Sequence, residues 1–516
     1  MASGSPDPDL CSSLLVFPSR GGRSLIFLLI FALYLFLVAW IGVYYARSNR
    51  NLETFILGGR RLGPWVAAIS AEASDMSGWL FIGLPAAAYA GGFSILWAVI
   101  GCAAGTLFNW LVIAPRLHRL SLKTGALTLP DFLEARFGGK GGRELRLLAA
   151  AVVLIFFSTY ISAQFIAVGK IFETCFADIR TPWGSVSVGY VEGLALGCGV
   201  ILFYTLTGGF LSVAMTDLVQ GTIMVMALVV LPVVGIVEMG GPGRLWEAMG
   251  AANEGSRLLS LGGNAIGPAF WLGVVAGGLS WGLGYPGQPH ILARFMAVRD
   301  AKTIPFSALI SVSWVLVALY GAMLAGFLGI GLLGRGLEDP DRVLPLLASR
   351  LLPEWMTAIV IAAAVAAVMS TVDSQILVAV SAVVEDVYVK ILGGDGGSRR
   401  AVWIGRAVGL LLGGAGFLMA FRRSNVFGRV FDAWGGLAAG LGPAVCFSLL
   451  WRRTTWQGVL AGMAAGAGLV QLWPWLRSAC PFGPIPVWQG GLLPGFLLSS
   501  FLIVTVSLST GRRAGA

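Results

Sequence analysis

Apolar residues in this chain fall in long runs rather than in the alternating or one-sided patterns of soluble strands and helices. Crossing ~30 Å of hydrocarbon takes about 20 predominantly apolar residues in helical form, and about thirteen segments meet that measure. They lie near 24–46, 63–89, 92–116, 144–174, 188–207, 210–239, 266–296, 303–333, 355–390, 402–421, 427–451, 456–476 and 491–510. A lipid-exposed backbone must satisfy its own polar groups, so these runs predict helices. The pattern therefore predicts an all-α polytopic membrane protein. The first run is too long for a signal-peptide core and lacks a convincing cleavage site, so a retained helix is expected there.

Two segments interrupt the pattern. The second carries AEASDMSGWL at 71–80, which sets Glu72 and Asp75 inside an apolar run. The seventh carries WGLGYPGQPH at 281–290. A charged side chain near the bilayer centre costs roughly 2.5–3.5 kcal/mol on insertion scales, so it is kept for a reason. The serines, alanines and glycine around Asp75 would let the helix unwind and turn backbone carbonyls toward a ligand. Two broken segments at matching positions in two halves point to an inverted-repeat transporter with its site at the midplane. The expected organisation is an extracytoplasmic segment 1–23, an accessory helix 24–46, a five-helix repeat 63–239, a second repeat 266–451, and accessory helices within 456–510.

Composition agrees with a membrane class. Hydrophobic residues make up 57% and charged residues 12% of the 516, with a mean hydropathy of +0.83. The net charge of +10 raises the question of nucleic acid, but the bases cluster between apolar runs. Arg47, Arg50, Arg60 and Arg61 form one group, and Arg116, Arg119, Lys123, Arg136, Lys140, Arg143 and Arg146 another. Arg294, Arg299 and Lys302, then Arg452 and Arg453, then Arg512 and Arg513 follow. Such clusters mark cytoplasmic loops, which sets the N-terminus outside and the C-terminus in the cytoplasm and leaves no role for nucleic acid. Arg20, Arg23, Arg422 and Arg423 run against that orientation and are outnumbered. Six scattered cysteines and two histidines give neither a disulfide framework nor a histidine-rich metal site.

Two enzyme-like motifs fail on context. Gly282-Leu-Gly284-Tyr-Pro-Gly287 fits GxGxxG, and Gly278-Leu-Ser280-Trp-Gly282 fits the nucleophile elbow, with His290 ten residues on. Both motifs require a strand before a turn, and a membrane helix surrounds them here. Close packing and helix breaking explain these glycines better, and no enzyme activity is expected. The ninth segment offers other chemistry in AAVAAVMSTVDSQ, residues 363–375. A single Ser or Thr in a membrane helix usually bonds back to its own carbonyls. A desolvated hard cation wants about five or six oxygens. Ser370 and Thr371, with bared carbonyls from the Ala73–Met76 stretch, would supply them. Tyr160 in FFSTYISAQ, and Trp281 and Tyr285 at spacing i, i+4 on one expected helix face, suggest walls for an organic ligand.

ASDMSGWL at 73–80, GLGYPGQPHILARFMA at 282–297, AAVMSTVDSQ at 366–375 and GLGPAVCFSLLW at 440–451 together resemble the sodium:solute symporter family. The likeness runs from about Gly58 to Trp451 and continues more weakly through the last segment. It implies a LeuT-type core of five-plus-five inverted repeats and sodium-driven import of a small solute, L-proline first, across the plasma membrane, with membrane lipid around it. By the same likeness sodium would be held by the carbonyls of Ala73 and Met76 with Ala367, Ser370 and Thr371, and Asp75 would serve sodium coupling. Tyr160, Trp281, Tyr285 and Pro289 would form the substrate pocket beside Ser77, Gly78 and Trp79. Asp217 in AMTDLVQ would act in ion coupling or release. Pro286 stands where the proline branch is expected to have an aromatic residue. Glu72 and Asp373 stand where small or neutral residues are expected, and extra carboxylates near a cation site bear on ion preference, protons included. The rival readings are a symporter of another small solute, a transporter-like sensor, which the six residues after 510 disfavour, and a membrane hydrolase centred on Ser280.

Overall fold

The computed structural model describes residues 25–46, 52–181, 184–205, 208–252, 255–478 and 490–511. The predicted segment 1–23, Arg47, Arg50, Arg512, Arg513, Cys11 and Cys480 lie outside the described residues. The fold opens with α1 (Leu25–Ala46), α2 (Pro64–Asp75), a π-helical turn Trp79–Gly83 and α3 (Leu84–Gly91). Next come α4 (Leu96–Phe108), a second π-turn Asn109–Ile113, α5 (Ala114–Thr124), α6 (Leu129–Phe137) and α7 (Gly139–Cys175). A two-stranded hairpin, β1 (Ile179–Thr181) and β2 (Gly184–Val186), precedes α8 (Tyr190–Thr205) and α9 (Phe210–Glu238). The second broken element runs through a π-turn Ala269–Val275, one α-turn Ala276–Leu279, a 3₁₀ stretch Ser280–Gly287 and α10 (Pro289–Ala297). The rest is α11 (Ile304–Leu333), α12 (Val343–Leu351), α13 (Glu354–Ser381), α14 (Arg399–Ala420), α15 (Val426–Leu450), α16 (Trp456–Ser478) and α17 (Leu492–Gly511).

Each predicted apolar segment coincides with helix, yet among the described residues ten helical stretches are long and apolar enough to cross a membrane by themselves. The difference has three causes. The second segment loses its first half at the break after Asp75, so its second half runs on with the third as Trp79–Thr124; the fifth is short, at Tyr190–Phe203; and the seventh is broken. Gly92, at φ 59°, makes the reversal between α3 and α4, and a Cβ there would collide with the Leu258 backbone.

Lipid-facing sides carry large exposed apolar residues such as Phe203, Val237, Leu411 and Trp403. Inside, α9 packs on α1, α2, α11 and α13, while α7 packs on α8, α13, α14 and α15. The 3₁₀ stretch is wedged between α4 and α15. Glycine makes that wedge possible. Gly101 and Gly105 of α4 face Gly278 and Gly282 of the broken element, and a Cβ on Gly101 would stand 2.8 Å from the Gly278 carbonyl oxygen. Two GxxxG pairs thus meet backbone to backbone, the usual device for close helix approach in lipid. A Cβ at Gly284 or Gly287 would strike Trp434 or the Leu437 carbonyl.

Candidate functional site

The α2 helix ends because Met76 leaves helical geometry, at φ −78° and ψ 63°. Its N–H still reaches the Glu72 carbonyl at 2.7 Å, while Ser77 N–H turns back to the Asp75 carbonyl at 2.8 Å. The ladder resumes only at the π-turn from Trp79. A polar clamp holds the gap open. Gly78 N–H donates to Gln164 Oε1 at 2.7 Å, and Gln164 Nε2 donates to Ser77 Oγ at 3.1 Å. Gly78 is required here, since a Cβ would press to 2.9 Å on Ala167 Cβ.

Ser370 Oγ donates to the Ala73 carbonyl at 2.7 Å and to the Ala367 carbonyl at 3.2 Å; Thr371 Oγ1 reaches the same Ala367 carbonyl at 3.1 Å. Hydroxyls and carbonyls from α2 and α13 therefore meet across 297 residues of sequence. Thr371 does bond back to its own helix, as lone membrane hydroxyls do. Asp75 is fully buried, and neither of its oxygens has a hydrogen-bond partner. Tyr285, Cys102 and Glu72 stand around its carboxylate. The predicted sodium residues thus divide: Ala73, Ala367, Ser370 and Thr371 are joined by hydrogen bonds, Met76 turns the chain at the gap, and Asp75 lies beside Glu72, Tyr285 and Cys102.

An aromatic wall stands beside the gap. Trp79 stacks on Trp281 with centroids 5.0 Å apart, and Trp281 also meets Phe427, Phe431 and Trp434 at 5.2, 4.8 and 6.1 Å. Trp434 Nε1 donates to the Trp281 carbonyl at 3.2 Å. Trp281 and Tyr285 do not share one face, contrary to the helical spacing. They lie on a 3₁₀ stretch, where about three residues make a turn, so i and i+4 diverge by about 120°. Trp281 turns to Trp79, and Tyr285 turns to Trp434, at 5.1 Å, and to Asp75. Above the stack opens a cavity of about 990 Å³ lined by Ser94, Asn264, Trp281, Phe427 and Phe431 among others. On the other side, Tyr160 is buried with its hydroxyl unpartnered. It meets the ring of His290, 6.3 Å away, whose two nitrogens are likewise buried and unpartnered. Pro289 is the first residue of α10, where its missing N–H costs nothing.

Asp217 is not open to a cation on all sides. Its Oδ2 accepts from Ser70 Oγ at 2.6 Å and from Arg294 Nη2 at 3.0 Å. Arg294, grouped above with loop bases, lies on α10 at 0% exposure and also donates to Ser70 Oγ, Ser374 Oγ and the His290 carbonyl. Arg146 is a second correction: it is buried on α7 among Asp131, Glu134 and Asp386. Ser280 is led into by helical turns, Ala269–Val275 and Ala276–Leu279, where a nucleophile elbow needs a strand; its Oγ donates to the Gly277 carbonyl at 2.6 Å, and its GxSxG is one of the two facing glycine pairs. Gln164, Arg294, Phe427, Phe431 and Trp434 are the residues that sequence reasoning missed. The first two had a signal, since each sets an amide or a charge inside an apolar helix.

The geometry of the break now meets known proteins. The family model described as the sodium:solute symporter family matches residues 55–466. The sodium/proline symporter of Escherichia coli (strain K12) is 38% identical over 490 residues, 93% of this chain and 92% of that protein. The chain belongs to the sodium:solute symporter family. The osmoregulated proline transporter OpuE of Bacillus subtilis (strain 168) is 35% identical, over 94% of this chain and 95% of its own. Among solved structures, the substrate-bound outward-open state of a Na+-coupled sialic acid symporter superposes with a TM-score of 0.75 at 15% identity, covering 94% of this chain and 98% of that one. The fold of that symporter, a multi-pass helical membrane bundle of LeuT type, is the fold of this chain.

Proposed function

We propose that this protein is a sodium-coupled symporter that imports L-proline across the plasma membrane by alternating access, with its N-terminus outside and its C-terminus in the cytoplasm. The observation that carries the reading is the contact of Ser370 Oγ with the Ala73 carbonyl at the point where α2 breaks. Sodium at that junction, held by the Ala73, Met76 and Ala367 carbonyls and the Ser370 and Thr371 hydroxyls, ties α2 to α13. The two broken elements then head the repeats 63–239 and 266–451, each moving its half-helices against the other half. The Gly78 and Trp79 amides lie at the opened end of the π-turn, where their N–H groups are held by side-chain acceptors, Gln164 Oε1 and Ser77 Oγ, that a substrate carboxylate would replace. Trp281, Tyr160, Pro289 and the ring of Tyr285 offer faces to a pyrrolidine ring and its ammonium, while the Tyr285 hydroxyl turns to Asp75. One inward charge adds about 2.3 kcal/mol per 100 mV to the driving force. Asp217 with Arg294 sets the inner boundary of the ion path. Uptake into proteoliposomes, with sodium and proton gradients imposed separately and a panel of amino acids, tests the reading. Proline accumulation that follows only the sodium gradient is expected; uptake indifferent to sodium, or of a different solute, rejects it.

A further inference from the structure

On the side that the transport reading places in the cytoplasm, the short turn from α5 to α6 is gripped by an arginine at each end. Arg60, just before α2, donates to the Ala126 carbonyl at 2.7 Å, to the Met296 carbonyl at 2.9 Å and to Ser121 Oγ at 3.0 Å. It thereby ties the turn to α5 and to the end of α10. At the other end Thr128 caps α6, accepting from the Asp131 N–H at 3.0 Å. Its hydroxyl donates to Asp386, 2.8 and 2.9 Å from the two carboxylate oxygens. Asp386 is buried on the π-turn Ala382–Val389 that continues α13. Arg146 of α7, buried as well, completes the set: its guanidinium reaches Asp386 at 2.7 Å and also pairs with Asp131 and Glu134 of α6.

The two grips differ in kind. Arg60 holds neutral oxygens, whereas Arg146 holds three carboxylates that also repel one another. A buried ion cluster is close to balance, because taking its charges out of water offsets most of their attraction. Opening it returns the carboxylates to water, so this grip can release where apolar packing cannot. The opposite face carries the same device in reverse. Lys170, roughly 36 Å along α7 from Arg146 at 1.5 Å per residue, pairs at 2.7 Å with Asp341 in the 3₁₀ turn Pro340–Arg342 before α12. The far end of α7 thus holds the turn before α12, as the far end of α13 holds the turn before α6. We propose that Arg146, Asp386, Asp131 and Thr128 form a cytoplasmic latch. Closed, it keeps α6 on α7 and α13 and the inner side shut. Open, it lets the α5–α6 turn move off with α2 and α10 as the site empties inward. Its sidedness rests on the symporter reading.

Two variants weaken the latch without stripping it. Asp386→Asn leaves Arg146 an acceptor and removes the charge; Arg146→Lys keeps the charge and loses the fork that reaches three carboxylates. The first measurement needs no solute. Spin labels at the exposed positions Ala135 of α6 and Leu392 beyond the π-turn, in a cysteine-free chain in nanodiscs, report the separation of the two elements. Wild type in sodium should show one short distance, and each variant should raise a longer-distance population roughly tenfold. In the second, proline half-saturation from the outer face should rise about fivefold in both variants, while that from the inner face, read in inside-out vesicles, stays or falls. Where Asp386→Asn fails to fold, Arg146→Lys decides. An unchanged single distance, or equal weakening from both faces, overturns the latch; the latter marks a purely structural cluster. Failure of the transport reading looks different: the longer distance appears in the variants while wild-type vesicles take up no proline from either face.

Discussion

Two carboxylates at membrane depth, Asp217 and Asp75, are equally buried and live in opposite surroundings. Asp217 is met by Arg294, Ser70 and, more distantly, Ser74 at 3.5 Å, so its charge is answered inside the protein. Asp75 is met by an aromatic hydroxyl and a second carboxylate, and its charge is left for something that arrives. A buried charge with a fixed partner holds helices together; one without a partner is a binding site by default. Arg294 ties α10 to α9, α2 and α13.

The paired region should fail by unfolding and the unpaired region by losing function, and variants can break that contrast. Arg294→Met strands Asp217 without a counter-charge, a change that costs about 3–5 kcal/mol at buried pairs. Detergent-solubilised protein should lose much of its thermal stability, and adding Asp217→Asn should restore part of it, since neighbours in one network couple. A double variant as weak as the sum of the singles would mean that the two residues act independently. Asp75→Asn keeps shape and removes charge, so the protein should insert and melt normally while sodium-driven proline uptake falls roughly 100-fold, equivalent to about 3 kcal/mol of lost ion interaction. Asp75→Glu should retain some uptake at poorer sodium affinity. Strong coupled transport by Asp75→Asn at matched expression would return this carboxylate to a packing role.

Smaller effects are expected at the α2–α13 junction. Ser370→Ala and Thr371→Ala each delete one neutral oxygen, which is worth about 1–1.5 kcal/mol. Sodium half-saturation should rise roughly tenfold in each and further in the double variant, with maximal uptake little changed. Sodium titrations of proline uptake check this, and unchanged half-saturation in both singles would break the assignment.

Much of this contrast was legible in the residues. The break in AEASDMSGWL and the hydroxyl pair of AAVMSTVDSQ announce themselves as polar islands in apolar runs, because bilayer solvation penalises them individually. Partners across the bundle were not legible. Arg294 reads as a loop base because it lies near Arg299 and Lys302, and only the turn of α10 brings it under α2. Phe427, Phe431 and Trp434 look like ordinary filler of α15 until the 3₁₀ stretch is seen lying against them. Helical spacing also misplaced Tyr285, since sequence shows that a segment is interrupted without telling which helix type replaces the α-turn.

That last misplacement yields the finest distinction. On an α-helix Trp281 and Tyr285 would line one surface, and trimming either would affect the same ligand. On the 3₁₀ stretch they part: Trp281 stacks on Trp79 beside the cavity, and the Tyr285 hydroxyl turns to Asp75 and Thr106. Tyr285→Phe removes only that hydroxyl, a loss of about 1 kcal/mol for one hydrogen-bonding group. Sodium half-saturation should therefore rise about fivefold, with proline half-saturation at saturating sodium within about twofold of wild type. Trp281→Ala should do the reverse, weakening proline by about three- to tenfold, since stacked aromatic pairs contribute about 0.5–1.5 kcal/mol beyond their buried area. Both constants come from one uptake series in which sodium and proline are varied independently. If the two variants shift the same constant, the side chains share one ligand after all, and the separation of a sodium face from a substrate face along this element is wrong.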